Sequence, residues 1–468
     1  MKQQRLATWL LPMMAILMAA CTTMPLPEES PRERINFDSD WLFMLADLPN
    51  GEATNLNDTS WRKLNVPHDW AIEGDFSKEN PSGYAGGALP GGIGWYRKHF
   101  IIDSADIANG CRVYLDFDGV YMLSNVYING ISTGVRPYGY ISFRRDITPL
   151  LHIGENVVAV RVDNSEQPNS RWYSGCGIYR HVWMVKTQPI HVDLWGTYVT
   201  TPQVANDHAI VDVATRLRNT TPHSAGVEIM QYIIDAQGKT VAHATGKAQL
   251  APDTTTEMSM QMRLDNPQRW SIEHPYLYTV RTQVRHNGAI VDSYDTPLGV
   301  RTFRFDAKEG FFLNDKPVKI KGVCMHHDLG CLGAAVNTRA IERQLEILKE
   351  MGCNAYRCSH NPPAPEVLDL CDRMGFIVMD EALDMWSRPK TKYDYARYFK
   401  EWHERDLTDL VMRDRNHPSI FMWSIGNEVR EQWTHEESDI LSLEDANMPL
   451  NLMKDASVEG RNLFRRIL

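Results

Sequence analysis

The chain has 468 residues, of which 43% are hydrophobic and 23% charged, an ordinary globular balance that excludes an extended disordered protein. At ~100–200 residues per domain there is room for about three cores. The formal net charge of -10 supplies no basic face for nucleic acid, so a neutral or acidic partner is expected.

The first elements concern targeting. Lys2 and Arg5 precede an apolar run from Leu6 to Ala20, interrupted by Pro12, and Cys21 follows. This order reads as a signal peptide over residues 1–21, too short and too weakly flanked for a stable membrane span. Met18-Ala19-Ala20-Cys21 looks like a bacterial lipobox, so Cys21 is expected to be lipidated, with plain secretion as the alternative. Residues 22–34, rich in Pro and Glu, then read as a tether. The expected location is the periplasm or outer membrane of a Gram-negative bacterium, with membrane contact only through a lipid anchor. Cys111, Cys176, Cys324, Cys331, Cys353, Cys358 and Cys371 form no Cys-x-x-Cys pair or His-spaced cluster, which argues for small buried core residues and against a zinc site.

Residues 35–188 show short alternating apolar runs between turn residues, the pattern of an all-β domain. Strands are predicted at Trp95 to Ile102, Arg112 to Asp118, Leu123 to Ile128, Tyr138 to Ile147, Glu155 to Val162 and Tyr179 to Val185. Asn129-Gly130 predicts a hairpin, because both central residues of that turn need positive φ. Residues 189–304 repeat the pattern, near His191 to Val199, Ala209 to Leu217, Val227 to Ile234, Glu257 to Leu264, Leu277 to Val284 and Gly299 to Phe303. Some seven short strands suggest an immunoglobulin-like sandwich, with Asn287-Gly288 closing another hairpin.

From residue 305 to 468 strands and helices alternate, which argues for βα units. The predicted strands are Pro317 to Met325, Asn354 to Arg357, Phe376 to Met379 and Ile420 to Ile425. Between them helices are predicted from Thr338 to Met351, from Pro365 until Gly375, and from about Ala396 to Arg413, with Phe399, Trp402, Leu407 and Val411 facing inward. In a barrel of parallel strands the strand C-termini open into the site. Here those ends carry His326, His327 and Asp328, then Arg357 and His360, then Asp380, Glu381 and Asp384, then Asn427 and Glu428. Four polar clusters at equivalent positions point to a catalytic mouth.

Three groups of motifs resemble one family. The string Asp414-Arg415-Asn416-His417-Pro418 through Gly426-Asn427-Glu428 resembles the acid/base signature of glycoside hydrolase family 2, and Asn354-Ala355-Tyr356-Arg357-Cys358-Ser359-His360-Asn361-Pro362 resembles its other signature. Val66-Pro67-His68-Asp69-Trp70 and Arg171-Trp172-Tyr173-Ser174-Gly175-Cys176-Gly177 resemble its N-terminal jelly roll. The resemblance implies a jelly roll, an immunoglobulin-like sandwich and about four βα units of a (β/α)8 TIM barrel. It implies a retaining β-glycosidase, of β-galactosidase type by overall likeness, acting on a β-linked oligosaccharide or glycoconjugate. β-Glucuronidase or β-mannosidase specificity and a non-catalytic carbohydrate-binding protein are the alternatives.

By the same resemblance Glu428 is the proton donor and Asn427 meets the sugar 2-hydroxyl. His326, Arg357, His360 and Asp384 line the sugar site, and Arg357 alternatively holds neighbouring carboxylates ionised. Trp172 and Tyr173 stack on sugar or pack between domains. Ser170 stands where some relatives have a sugar-contacting Asp, and Met385 and Ser387 replace a metal-binding Glu and His. No metal and no cofactor are therefore expected. Retention needs a second carboxyl group roughly 5–5.5 Å from the first, and Glu431, Glu436, Glu437, Glu444 and Glu459 match no nucleophile motif. The chain by itself is expected to show little or no hydrolysis.

Overall fold

The computed structural model describes residues 30–429. The expected signal peptide, Cys21, and Glu431, Glu436, Glu437, Glu444 and Glu459 lie outside the described residues. The first sandwich packs a six-stranded antiparallel sheet against a four-stranded one. Gly92–Ile102 and Gly154–Asn164 form the centre of the larger sheet, and Arg112–Phe117 and Val182–Thr187 that of the smaller. Side chains alternate across a strand. Trp41, Tyr96, Val126 and Val160 of one sheet therefore meet Leu115, Phe117, Phe143 and Met184 of the other in one core. Asn129 and Gly130 have φ of 49° and 82° and join Ser124–Ile128 to Ile131–Arg136.

The last residues of the stretch 22–34, expected to be a tether, are instead built into the fold. Glu33–Asn36 pairs as an edge strand with Val182–Thr187, and the Arg32 guanidinium donates to both Asp292 carboxylate oxygens at 2.8 Å. An exposed edge strand has no apolar pattern to announce it.

The second sandwich sets Ile190–Val204, His208–Asn219 and Thr254–Asp265 against Thr240–Leu250, Ala225–Ile234, Tyr278–His286 and Ala289–Leu298. Along His208–Asn219 burial alternates at every residue. Thr240–Leu250 and Ala289–Leu298 were not predicted, because their inward positions are mostly small or polar. The strand predicted at Gly299 to Phe303 is displaced to Phe303–Asp306, in a small sheet with Gly310–Leu313 and Lys316–Pro317.

Four parallel strands follow in sequence order, Gly322–Met325, Ala355–Cys358, Ile377–Glu381 and Ile420–Ser424. The first is shorter than expected because Lys316–Pro317 turns back to pair with Phe312 and Leu313. The Asn337 side chain accepts from the Ala340 N–H at 3.0 Å and starts helix Thr338–Glu350. This cap satisfies a free N–H of the first turn. Helix Pro365–Met374 stops at Gly375, whose φ of 75° suits glycine. A Cβ at Gly375 would also collide with the Ile272 carbonyl oxygen of the second sandwich. Helix Ala396–Asp414 buries Leu407, Leu410 and Val411, while Phe399 and Trp402 are half-buried against the same cluster.

Asp372 ties these units together. Its carboxylate accepts from His417 Nδ1 at 2.6 Å and from the Ser419 N–H at 2.9 Å, and its carbonyl accepts from Trp270 Nε1 at 2.8 Å. Burial opposes the charge on His417, yet adjacent Asp372 raises its pKa to about 9. A raised histidine pKa gives stability that is complete below the unfolded value near 6.5 and lost as pH rises through 9. His417→Gln should therefore remove roughly 3 kcal/mol at pH 6 and much less near pH 10, measured by chemical denaturation. Lys98, which burial pushes down to about 8, changes stability in the opposite sense above pH 8, so the difference between the two proteins is the informative quantity.

Candidate active site

The exits of the four strands meet the 171–174 loop of the first sandwich. Glu381, fully buried at the third strand end, accepts from Arg357 Nη2 at 2.7 Å, from His360 Nδ1 at 2.7 Å and from Ser424 Oγ at 2.6 Å. Arg357 Nη2 also donates to Asn427 Oδ1 at 3.0 Å, and Asn427 Nδ2 donates to Asp384 Oδ1 at 2.9 Å. Arg171 then grips Asp384 with two nitrogens, at 2.6 and 3.1 Å, and reaches Glu428 Oε2 at 3.3 Å. Lys390 approaches from the other side, 3.0 Å from Asp384 Oδ1, 2.6 Å from the Asn427 carbonyl and 3.9 Å from Glu428 Oε2.

The backbone sets this order. The Ala382 N–H donates to the Ser424 carbonyl, and the Asn427 N–H to the Leu383 carbonyl, each at 2.9 Å. The exits of the third and fourth strands are thereby stitched together. Glu428 sits just past this stitch at φ 44°, a left-handed conformation that is rare outside glycine and frequent at functional positions. Its side chain is 70% exposed.

The electrostatics separate the carboxylates. Burial pushes the Asp384 pKa up, but hydrogen bonds from Arg171, Asn427 and Lys390 outweigh it and hold the group below the usual carboxylate range. Asp384 is thus an ionised acceptor whose oxygens are already engaged, as are those of Glu381. Glu428 is the one of the three with an exposed side chain.

His326 completes one wall. Its ring stacks on Trp172 with centroids 5.0 Å apart and meets the His360 ring edge-on at 5.4 Å. Burial, followed by nearby His360, lowers its pKa, which keeps the imidazole neutral at neutral pH. Trp172 is 9% exposed and donates from Nε1 to the Tyr140 hydroxyl at 3.1 Å, so it packs between domains and also backs this histidine.

Glu428, Asn427, Asp384, Arg357, His360 and His326 are therefore brought together as expected from the sequence. Two neighbours are not. His327 turns away from the mouth, its Nε2 3.2 Å from the Ser174 carbonyl and its ring against Tyr140 and Tyr179, where burial pushes its pKa down to about 3. Asp380 is fully buried on the other face of its strand; burial, then nearby Asp414, raises its pKa. Successive side chains alternate along a strand, so Asp380 and Glu381 do not share a face, whereas His326 and His327 lie just past the end of Gly322–Met325 and are parted by the loop.

Arg171 and Lys390 were not expected. Arg171 had a signal, its place beside Trp172 in a recognised motif, whereas Lys390 lies in a loop that carries none. Met385 is buried in the apolar cluster between domains. Among the described residues, no group of three or more His, Cys, Asp or Glu could hold a metal ion.

The exits of four parallel strands thus gather a carboxylate with amide, imidazole and guanidinium groups at one mouth. Three profiles of one family match consecutive stretches: "Glycosyl hydrolases family 2, sugar binding domain" over 79–189, "Glycosyl hydrolases family 2" over 190–301, and "Glycosyl hydrolases family 2, TIM barrel domain" over 306–446. The chain belongs to glycoside hydrolase family 2. It is 60% identical over 435 residues to a β-galactosidase of Bacteroides ovatus, covering 93% of this chain and 51% of that protein. A β-glucuronidase of Formosa agariphila is 28% identical, covering 87% of this chain and 43% of that one. A solved family 2 hydrolase from Bacteroides cellulosilyticus superposes with a TM-score of 0.84 at 40% identity, over 93% of this chain and 57% of that one. The chain thus spans about half the length of these relatives.

Proposed function

We propose that the protein is a retaining β-glycosidase of β-galactosidase type, with Glu428 as acid/base. The observation that carries this is an exposed carboxylate at the exit of the fourth parallel strand, 3.3 Å from Arg171 and next to an Asn427 fixed at both ends of its amide. In this role Glu428 protonates the leaving oxygen and later takes a proton from the attacking water. Arg171 then faces the carboxylate that proton donation leaves behind. Asn427 Nδ2 already donates to Asp384, so the pair forms a polar edge against which a sugar hydroxyl is held. Asp384 and Glu381 are each engaged by several donors, and the attacking role is assigned to neither.

Galactose over glucuronate is supported by charge pairing. Arg171 and Lys390 are matched to Asp384, and Arg357 to Glu381. A sugar carboxylate would have to break one of these pairs, whereas a neutral hydroxyl needs only a donor or acceptor. The 60% identity to the Bacteroides ovatus β-galactosidase supports the same reading. Calorimetric titration should give about tenfold or greater preference for an aryl thio-β-galactoside over the matching thio-β-glucuronide. The reverse order would replace this assignment with a glucuronidase. Export through the signal-like segment ending at Cys21 is part of the same proposal, supported by the charge and apolar order of that segment.

A further inference from the structure

The jelly-roll sandwich contributes a charged side chain directly to the barrel carboxylates. Arg171 lies 213 residues before Asp384 and 257 before Glu428, yet holds both. The loop that presents it is braced on every side. Trp172 Nε1 is bonded to Tyr140, Ser170 Oγ donates to the Trp172 carbonyl at 2.6 Å, and the Tyr173 hydroxyl donates to Asp69. Asp69 also accepts the Cys176 N–H and, across the domain junction, the Ala334 N–H, each at 2.8 Å. A side chain on such a base presents fixed geometry, and a planar guanidinium fork matches a carboxylate at two points, which a lysine does not.

We propose that Arg171 is a positioning residue of the glycosidase site, which aligns Asp384 with Glu428 and balances their charge so that the mouth accepts a neutral sugar. The inference rests on the glycosidase reading and extends it, since it makes the docked jelly roll a working part of the site. Lys390 is the second half of the device. Arg171 and Lys390 both pair with Asp384 and lie 3.3 and 3.9 Å from Glu428 Oε2. Removing Arg171 takes one positive charge away from beside the ligand.

The test compares two galactose-shaped probes on the whole chain, the neutral aryl thio-β-galactoside and the cationic iminosugar 1-deoxygalactonojirimycin, by calorimetry at low salt. Arg171→Gln should weaken the neutral probe and shift the ratio of affinities about fivefold or more toward the cation, as expected for a unit charge removed at short range in a partly wetted site. Arg171→Lys should keep the original ratio while weakening both probes, since it restores charge without the fork. If both probes change by one common factor in Arg171→Gln, Arg171 is only a domain brace and the proposal fails while the glycosidase reading stands. If neither probe binds the unsubstituted chain, both fail.

Discussion

Replacing Glu428 with Gln, in a form of the protein that also carries the attacking carboxylate retention requires, is expected to lower kcat for an alkyl β-galactoside by about 10²–10⁴-fold, the usual contribution of general acid/base catalysis. That corresponds to roughly 3–5 kcal/mol of transition-state stabilisation. The substitution keeps the size of the side chain and its ability to accept from Arg171, so alignment is little disturbed and the loss reports proton transfer. The leaving group provides an internal control. A dinitrophenolate leaves without help, so bond cleavage in the variant should approach that of the unsubstituted protein for a dinitrophenyl galactoside, while the later hydrolytic step remains slow. The measurement is the ratio of variant to parent rates across a series of leaving groups. Equal ratios for alkyl and dinitrophenyl substrates would remove Glu428 from the acid role.

Arg136→Met should destabilise the junction of the first sandwich with the barrel units by about 3–5 kcal/mol, the cost of stranding a buried charge. Arg136 is fully buried and donates from Nη2 to Asp406 at 2.5 Å and to Asp409 at 2.7 Å. The Tyr395 hydroxyl donates to the same Asp406. Burial raises the Asp406 pKa to about 6 even though Arg136 opposes it, so desolvation already wins in the native protein. Removing the cation pushes that pKa further up. The destabilisation should therefore be largest above pH 7 and shrink toward pH 5, where Asp406 takes a proton and no longer needs a partner. Arg136→Met combined with Asp406→Leu should recover most of the loss, because a buried pair replaced by apolar groups is often close to neutral. Denaturant midpoints of the single and double variants at pH 5 and pH 8 provide the check, and a loss independent of pH would contradict the account.

Part of the site was legible in the chain because its residues fall at strand ends inside contiguous motifs. Asn427 and Glu428 follow a short apolar strand, and Arg357 and His360 follow another, so a parallel-barrel rule places them at one mouth. The same rule overreached at His326-His327 and Asp380-Glu381. Asp380 and Glu381 are adjacent on a strand and point to opposite faces, while His327, past the end of its strand, turns into the interdomain packing. Alternation separates Asp380 from Glu381 in the chain alone, whereas the turn of His327 depends on the loop conformation.

The amino-acid sequence by itself determined the three β-rich and βα segments, the hairpins at Asn129-Gly130 and Asn287-Gly288, and the strand-end glutamate with its asparagine, since all of these follow from local periodicity, turn chemistry or contiguous motifs. Only the tertiary structure decided that Arg171 and Lys390 close on Asp384 and Glu428, that Asp372 joins a helix to the entry of the fourth strand, and that Arg136 sits under Asp406. These contacts join residues 6 to 270 positions apart. Those of Arg171 and Arg136 depend on how the first sandwich docks on the βα units, and those of Lys390 and Asp372 on how loops and helices pack over the strand ends. Both are set by the shape and desolvation of whole surfaces, which no local pattern encodes.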